Sequence, residues 1–245
     1  MAIVDSSIKQ NKQEEIALNL KKLAAEGDSY SSSNWNHAKF KLAFDFLFSF
    51  IDKKKEYSVL DLGSGGGLLL KELSRYPNFH LTGIDLTKEL LEKVTSKRVN
   101  CKLVHGDIED MPFKDQSFDI VIHNQTLHHF RLREKSLREI YRILRPGGLL
   151  MSIETNGLNP YVLYGHKAPW KVRKRFISSN QQPFSVITFK KELNDAKFAI
   201  LGVKMINHLP INSNLLEKIL ENIPGLRLVT GGSMVVCSKK SSLTH

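Results

Sequence analysis

The run Val59-Leu60-Asp61-Leu62-Gly63-Ser64-Gly65-Gly66-Gly67 holds the residue types best suited to chemistry. An apolar strand ends at a carboxylate and passes straight into glycines that open a helix. Glycines let the backbone bend sharply and let a ligand approach the main chain without meeting a Cβ. A dinucleotide fingerprint requires Gly-x-Gly-x-x-Gly with a pyrophosphate on the helix N-terminus. Counted from Gly63 its third glycine falls on Leu68, and counted from Gly65 on Leu70, so that register fails twice. A Walker loop fails too, because no Gly-Lys-Ser/Thr follows. What fits is Asp-x-Gly-x-Gly-x-Gly. A carboxylate at that strand end suits a ligand bearing an ammonium group and repels a pyrophosphate. Asp85, 24 positions further on, ends Thr82-Gly83-Ile84-Asp85, where an acidic residue can accept both hydroxyls of a ribose. Histidine titrates near neutrality, which makes His128 and His129 of Asn124-Gln125-Thr126-Leu127-His128-His129-Phe130 candidate bases.

These residues need a frame, and the pattern supplies one. Apolar runs at 57–62, 80–85, 102–105, 118–123 and 149–154 alternate with helical stretches at 68–75, 88–97 and 134–144. Strand alternating with helix predicts a parallel sheet covered on both faces. Phe40, Phe44, Leu47, Phe48 and Ile51 lie at helical spacing ahead of the first strand. Leu144-Arg145-Pro146-Gly147-Gly148 reads as a helix stop and a turn into the fifth strand. Beyond Asn156 the order lapses into an insertion around Pro160, Pro169 and Pro183. It then resumes with helices near 190–196 and 215–222 and strands at 200–206 and 233–238.

On these motifs the chain resembles the Rossmann-like, class I S-adenosylmethionine-dependent methyltransferases, most strongly over Lys39–Glu154. The resemblance implies S-adenosylmethionine as cofactor, with S-adenosylhomocysteine as product. It implies a cofactor site of Asp61, Gly63, Ser64, Gly65, Gly67, Asp85, Leu86, Asp107, Ile108, His123 and Asn124. Within that set Asp107 of His105-Gly106-Asp107-Ile108 bonds the adenine amine and Ile108 supplies a main-chain contact. Phe118–Asn124 matches the family's fourth-strand motif, and Leu144–Leu149 matches its Leu-Arg/Lys-Pro-Gly-Gly signature. His128 or His129 then serves as the base where the acceptor is a hydroxyl or an enolisable carbon. Asp119 reads as a structural residue that fixes the loop or the strand start.

Several acceptors are set aside. Methylation of adenine or glutamine nitrogen goes with Asn/Asp-Pro-Pro-Tyr/Phe after strand four, where this chain reads His123-Asn124-Gln125-Thr126. Cytosine carbon-five methylation requires a cysteine nucleophile, and Cys101 and Cys237 fall in the wrong strands. With no Cys-x-x-Cys spacing and no third ligand near the paired histidines, no metal site is expected. The layout is closest to the ubiquinone/menaquinone-biosynthesis-like small-molecule group.

Charge gives the acceptor clue. The chain has 245 residues and a net charge of +11, of which residues 1–150 carry +3 and residues 151–245 carry +8. Lys167, Lys171, Arg173, Lys174 and Arg175 fall within nine residues, interleaved with Trp170 and Phe176. That cluster reads as a lid that holds an anionic group or as a contact with an anionic lipid surface. Candidate acceptor contacts are Lys167, Trp170, Lys171, Arg173 and Arg175 of this cluster, with Trp35 and His37 of the helices before Tyr57 on the other wall of the pocket.

The expectation is an α/β, doubly wound, mostly parallel seven-stranded sheet with a reversed edge hairpin, an N-terminal helical cap and an insertion after strand five. It forms one methyltransferase domain over 1–245: cap 1–56, cofactor-binding core 57–156, lid 157–188 and sheet edge 189–245. The expected activity is methyl transfer to oxygen or carbon of a small or amphipathic, anionic or lipid-like acceptor. The alternatives are an RNA methyltransferase, which one short basic cluster supports weakly, and a non-catalytic cofactor-binding subunit. No signal peptide is evident in Met1–Gln10, and no apolar run is long enough to span a bilayer. The setting is read as cytoplasmic, with peripheral membrane contact allowed.

Overall fold

A computed structural model describes residues 12–17, 19–21, 34–96, 99–130, 133–167, 185–206, 223 and 225–241. The elements in chain order are α1 (Asn34–Leu47), β1 (Tyr57–Leu62), α2 (Leu68–Leu73), β2 (Phe79–Asp85), α3 (Lys88–Ser96), β3 (Lys102–His105), β4 (Phe118–Asn124), α4 (Glu134–Ile143), β5 (Leu144–Thr155), α5 (Pro160–Lys167), α6 (Val186–Asp195), β6 (Phe198–Ile206), α7 (Leu226–Thr230) and β7 (Ser233–Lys240). Residues 12–17 and 19–21, ahead of α1, are also helical.

The strands form one seven-stranded sheet of order β3-β2-β1-β4-β5-β7-β6. Neighbours from β3 to β5 are parallel, whereas β7 runs antiparallel to both β5 and β6. The reversed strand is therefore β7, second from the edge. The outermost strand β6 points the same way as the parallel set. Chain order turns back between β1 and β4, and their carboxyl ends open the crevice in which such sheets bind ligands.

Period-two alternation sends successive residues of a strand into opposite layers. Val59, Ile120, Ile122, Leu149 and Met151 pack with Phe40, Phe44 and Leu47 of α1, with Leu69, Leu70 and Leu73 of α2, and with Val94 of α3. Leu60, Leu62, Val121 and Leu150 face Leu137 and Ile140 of α4 and Phe189 and Leu193 of α6. Burial of each such side chain contributes about 1.5–3 kcal/mol. Apolar residues at Val186, Phe189 and Leu193 keep α6 on the sheet, and the Ser185 hydroxyl caps it by accepting from Thr188 N at 3.1 Å.

Two readings of the sequence change here. Leu144–Gly148 is the start of β5 rather than a turn ahead of it. Leu144 pairs with Phe118, the register slips, and Leu149 pairs with Ile120. Part of the expected insertion is helical, as α5, while 168–184 and the expected helix at 215–222 lie outside the described residues. Among the described residues no helix is long and apolar enough to cross a membrane.

Candidate active site

Asp61 stands one residue before the end of β1, with 2% of its surface exposed, and its Oδ2 has no hydrogen-bond partner among the described residues. Burial pushes its carboxyl well above the ordinary value of 3.8, and the nearby charge of Asp85 pushes it the same way. An orphaned acceptor of this kind asks for a cationic donor.

The loop that follows is built for close approach. Gly63, Gly65 and Gly67 have φ of 70°, 50° and 77°, in the left-handed region that favours glycine. A Cβ on Gly63 would meet Thr126 at 2.5 Å and one on Gly67 would meet Val94 at 2.8 Å, so these two glycines also serve packing. Around Gly65 and Gly66 a Cβ would meet nothing within 4 Å, which leaves the backbone open to a ligand. Gly63 N and Ser64 N donate to Ile84 O, tying the loop to β2.

Asp85 closes β2. Its Oδ2 accepts from Gly65 N and its Oδ1 from Thr87 N, both at 2.8 Å. Burial raises the Asp85 carboxyl, and these backbone donors partly offset the rise. Leu86 is half-buried beside it, and Leu86 O lies 3.1 Å from His105 Nε2. Asp107 Oδ1 accepts from Glu109 N, and Lys12 Nζ reaches both Asp107 Oδ2 and Glu109 Oε2 at 2.5 Å. Ile108 is buried in the core. The N-terminal helical segment thus lies across the ends of β2 and β3. Asn19 touches Thr87 there, and Glu15 Oε2 stands 3.1 Å from His129 Nδ1.

On the other side of β1 a buried cluster gathers around Glu154 of β5. Glu154 Oε1 accepts from Thr126 N at 3.1 Å and Leu127 N at 2.8 Å, and Oε2 accepts from His128 Nδ1 at 2.7 Å. His123 Nδ1 is 3.4 Å from Oε1, and both His123 and Glu154 are fully buried. Burial alone would raise the Glu154 carboxyl. The imidazoles of His128 and His123 more than reverse this and hold it below the ordinary 4.5. A carboxylate only accepts, so His128 Nδ1 donates to it, and in the neutral ring Nε2 is then the acceptor nitrogen. That Nε2 is buried without a partner. Thr126 Oγ1 donates to Leu62 O at 3.0 Å, and Gln125 before it holds φ of 59°. The loop is fixed at both ends in a conformation that non-glycine residues seldom adopt.

The structure brings Asp61, the glycine loop, Asp85, Asp107, His123, Asn124, His128 and His129 to one edge of the sheet. His37 is exposed and bonds Glu72 of α2 at 3.0 Å. Lys39, two residues on, is the buried one, and its Nζ donates to Asn124 Oδ1 at 2.9 Å. Trp170, Lys171, Arg173 and Arg175, with the side chains of Trp35 and Lys167, lie outside the described residues. Asp119 accepts from Ser58 N and Arg145 at the opposite end of the strands, the structural role read for it. A groove of about 470 Å³ lies at that end, lined by Asp119, Arg145, Lys55 and Lys239 among others, and holds none of the site residues.

Sequence reasoning missed Glu154, Lys39, Lys12 and Glu15. Glu154 carried a signal, being the lone acid at the end of an apolar strand like Asp61 and Asp85. So did Lys39, which with Asn36 falls on the buried stripe of Phe40, Ala43, Phe44 and Leu47. Lys12 and Glu15 carried none, since a polar amphipathic segment reads as solvated.

A family model described as a methyltransferase domain matches residues 60–152. The demethylmenaquinone methyltransferase of Chlorobaculum parvum is 33% identical over 104 residues, which are 42% of this chain and 43% of that protein. The Staphylococcus aureus (strain JH9) enzyme of the same name is 36% identical over 108 residues, 42% of this chain and 45% of its own. The chain thus spans less than half the length of these curated relatives. Among solved structures, the complex of the Haloferax volcanii Trm112 methyltransferase activator with a methyltransferase matches with a TM-score of 0.62. Identity there is 20%, over 89% of this chain and 98% of that one. An S-adenosylmethionine dependent methyltransferase from Mesorhizobium loti gives 0.59 and 16%, over 80% and 96%. Likeness at such identity is likeness of fold.

Proposed function

We propose that this chain, whose core is that of a class I S-adenosylmethionine-dependent methyltransferase, methylates oxygen or carbon of a small or amphipathic, anionic or lipid-like acceptor. The observation that carries the reading is the pairing of an orphaned buried carboxylate, Asp61, with an open glycine loop and a second strand-end carboxylate, Asp85. A ligand with an ammonium group at one end and a ribose at the other satisfies all three.

When bound, S-adenosylmethionine supplies a sulfonium-activated methyl, released to the acceptor as the carbon–sulfur bond breaks and its electron pair stays on sulfur. The residues of this chain do the rest. Asp61 takes the ammonium, and Asp85 accepts from the ribose hydroxyls with the lone pairs that Gly65 N and Thr87 N leave. Asp107 and Ile108 receive the adenine once Lys12 yields its hold on Asp107. His128, oriented by Glu154, takes the acceptor proton at Nε2, while His129, paired with Glu15, lines the entrance. Alignment supplies most of the rate, because the methyl is already activated.

The names of the relatives support a quinone-related acceptor, which is apolar and whose reduced quinol form carries ionisable ring hydroxyls. The decisive experiment incubates the protein with methyl-labelled cofactor and fractionated metabolite, lipid and RNA extracts. Label in a small acidic or lipid product supports the reading, label in RNA replaces the acceptor, and no calorimetric binding of S-adenosylhomocysteine ends it. Two variants localise the chemistry. Asp85→Ala is expected to weaken cofactor binding by roughly 10- to 100-fold through loss of charge-assisted bonds. An unchanged calorimetric Kd removes Asp85 from the site. His128→Asn is expected to lower kcat by about 10²-fold or more while cofactor affinity holds. Unchanged kcat assigns the proton to another group.

A further inference from the structure

Lys39 is the buried cation of the crevice. The residue is 5% exposed, and its ammonium, with three protons to donate, bonds one acceptor among the described residues, Asn124 Oδ1. We infer that the Lys39 ammonium holds an ionised oxygen of the acceptor, so that the substrate reacts as, or carries, an oxyanion on the β5 side of the methyl donor. The inference rests on the methyltransferase reading and deepens it.

Position decides which ligand Lys39 serves. Sheet order runs β3-β2-β1-β4-β5, and Asp107, Asp85 and Asp61 stand at the carboxyl ends of β3, β2 and β1 in that order. Those three carboxylates mark the path of the nucleoside and the amino-acid moiety. Lys39 instead bonds the end of β4 and feels the charge of Glu154 on β5, on the side where His128 presents its free Nε2. A proton acceptor and an ammonium on the same side of the crevice are the two groups that convert a hydroxyl into an oxyanion and keep it so. His128 removes the proton, and Lys39 stabilises the charge left behind.

Burial supports this. It lowers Lys39 to about 8, against the pull of Glu154. A buried ammonium with unmet donors is costly on its own and gains most from an anion that completes it. The ammonium lies over the Phe40 ring, 4.9 Å from its centroid, so the charge is held against an aromatic face rather than in bulk water.

The test uses 4-nitrophenol, whose phenolate is coloured, bound to the native chain saturated with S-adenosylhomocysteine. At the pH where the free probe is half ionised, the bound probe is expected to be mostly phenolate. Lys39→Arg preserves that ionisation. Lys39→Met, similar in length and uncharged, loses it and weakens phenolate binding by roughly 10- to 100-fold. S-adenosylhomocysteine affinity stays as in the native chain. Equal ionisation of the probe on native and Lys39→Met protein overturns the inference, as does failure of the native complex to ionise it. Weakened S-adenosylhomocysteine binding in Lys39→Met with probe ionisation intact also overturns it and assigns Lys39 to the cofactor carboxylate. Failure of the native chain to bind S-adenosylhomocysteine rejects the underlying methyltransferase reading instead. A circular-dichroism melt of each variant establishes that it is folded.

Discussion

Glu154→Ala is expected to lower the melting temperature by roughly 6–20 °C. Glu154 is fully buried and accepts from two loop amides and His128, with His123 close by. Removal of one partner of such a cluster costs about 3–5 kcal/mol, because the remaining donors are stranded away from water. A chain of this size loses about 2–4 °C per kcal/mol. Glu154→Gln retains an acceptor for the amides but not the charge, so its loss is smaller. The two variants also separate structure from orientation. With Gln at 154, His128 loses the carboxylate that fixes its tautomer, and kcat is expected to fall by about 10- to 100-fold with cofactor Kd little changed. The pH dependence follows from the depressed carboxyl. Its stabilisation is complete above the unfolded value, near the ordinary 4.5, and is lost as pH falls through the lower folded value. The gap between native and Glu154→Gln protein therefore narrows in acid. A melt of Glu154→Ala within 2 °C of native, taken by circular dichroism at neutral pH, removes Glu154 from the framework of the site; that threshold is about 0.5–1 kcal/mol.

Glu154 also marks how much of the molecule was legible in the sequence. Local chemistry was written plainly: an apolar run ending in an acid and then glycine can only be a strand, a strand end and a tight turn. The parallel half of the sheet and the crevice at its carboxyl ends followed from the alternation of such apolar runs with helical stretches. The Asp-rich wall of the site, Asp61, Asp85 and Asp107, was legible for the same reason. The Glu154 cluster was not, because its parts come from β4, the following loop, β5 and α1, up to 115 residues apart from Lys39 to Glu154. Only the sheet order brings them together. Lys39 and His37 show the finer limit. Both sit on α1 two positions apart, and helical phase alone turns Lys39 onto the buried stripe and His37 outward to Glu72. The strap across Asp107 was invisible for another reason. Lys12 and Glu15 meet their partners through charges that any solvated helix carries. The Leu-Arg-Pro-Gly-Gly signature misled about geometry. Its glycines serve a register slip inside β5 instead of a turn ahead of it.

The second large effect belongs to Asp61, where stability and binding are expected to move in opposite directions. In the free protein Asp61 is a buried carboxyl with an unmatched oxygen and Asp85 as a charged neighbour. Asp61→Asn removes that conflict at nearly constant shape and is expected to stabilise the free protein by about 1–3 kcal/mol at neutral pH. That corresponds to a melting point higher by roughly 2–12 °C. The sign follows from the raised carboxyl, which makes the folded state bind the proton more tightly than the unfolded chain. Native stability falls as pH rises from the ordinary 3.8 through the folded value, so the gain from Asn is absent in strong acid and grows upward. With cofactor the native protein gains more than the variant. The ammonium loses its counter-charge, and affinity for S-adenosylmethionine is expected to drop by roughly 30- to 1,000-fold, or about 2–4 kcal/mol. A ligand at 100 times its Kd stabilises by about 2.7 kcal/mol, so at one fixed concentration the native protein melts higher and the variant barely moves. Binding to the native chain should also release protons where Asp61 starts protonated, read as a dependence of calorimetric heat on buffer ionisation. The variant should show none from this source. If Asp61→Asn melts no higher than native without cofactor and binds S-adenosylmethionine equally well, Asp61 is an ordinary buried polar residue and the ammonium lies elsewhere.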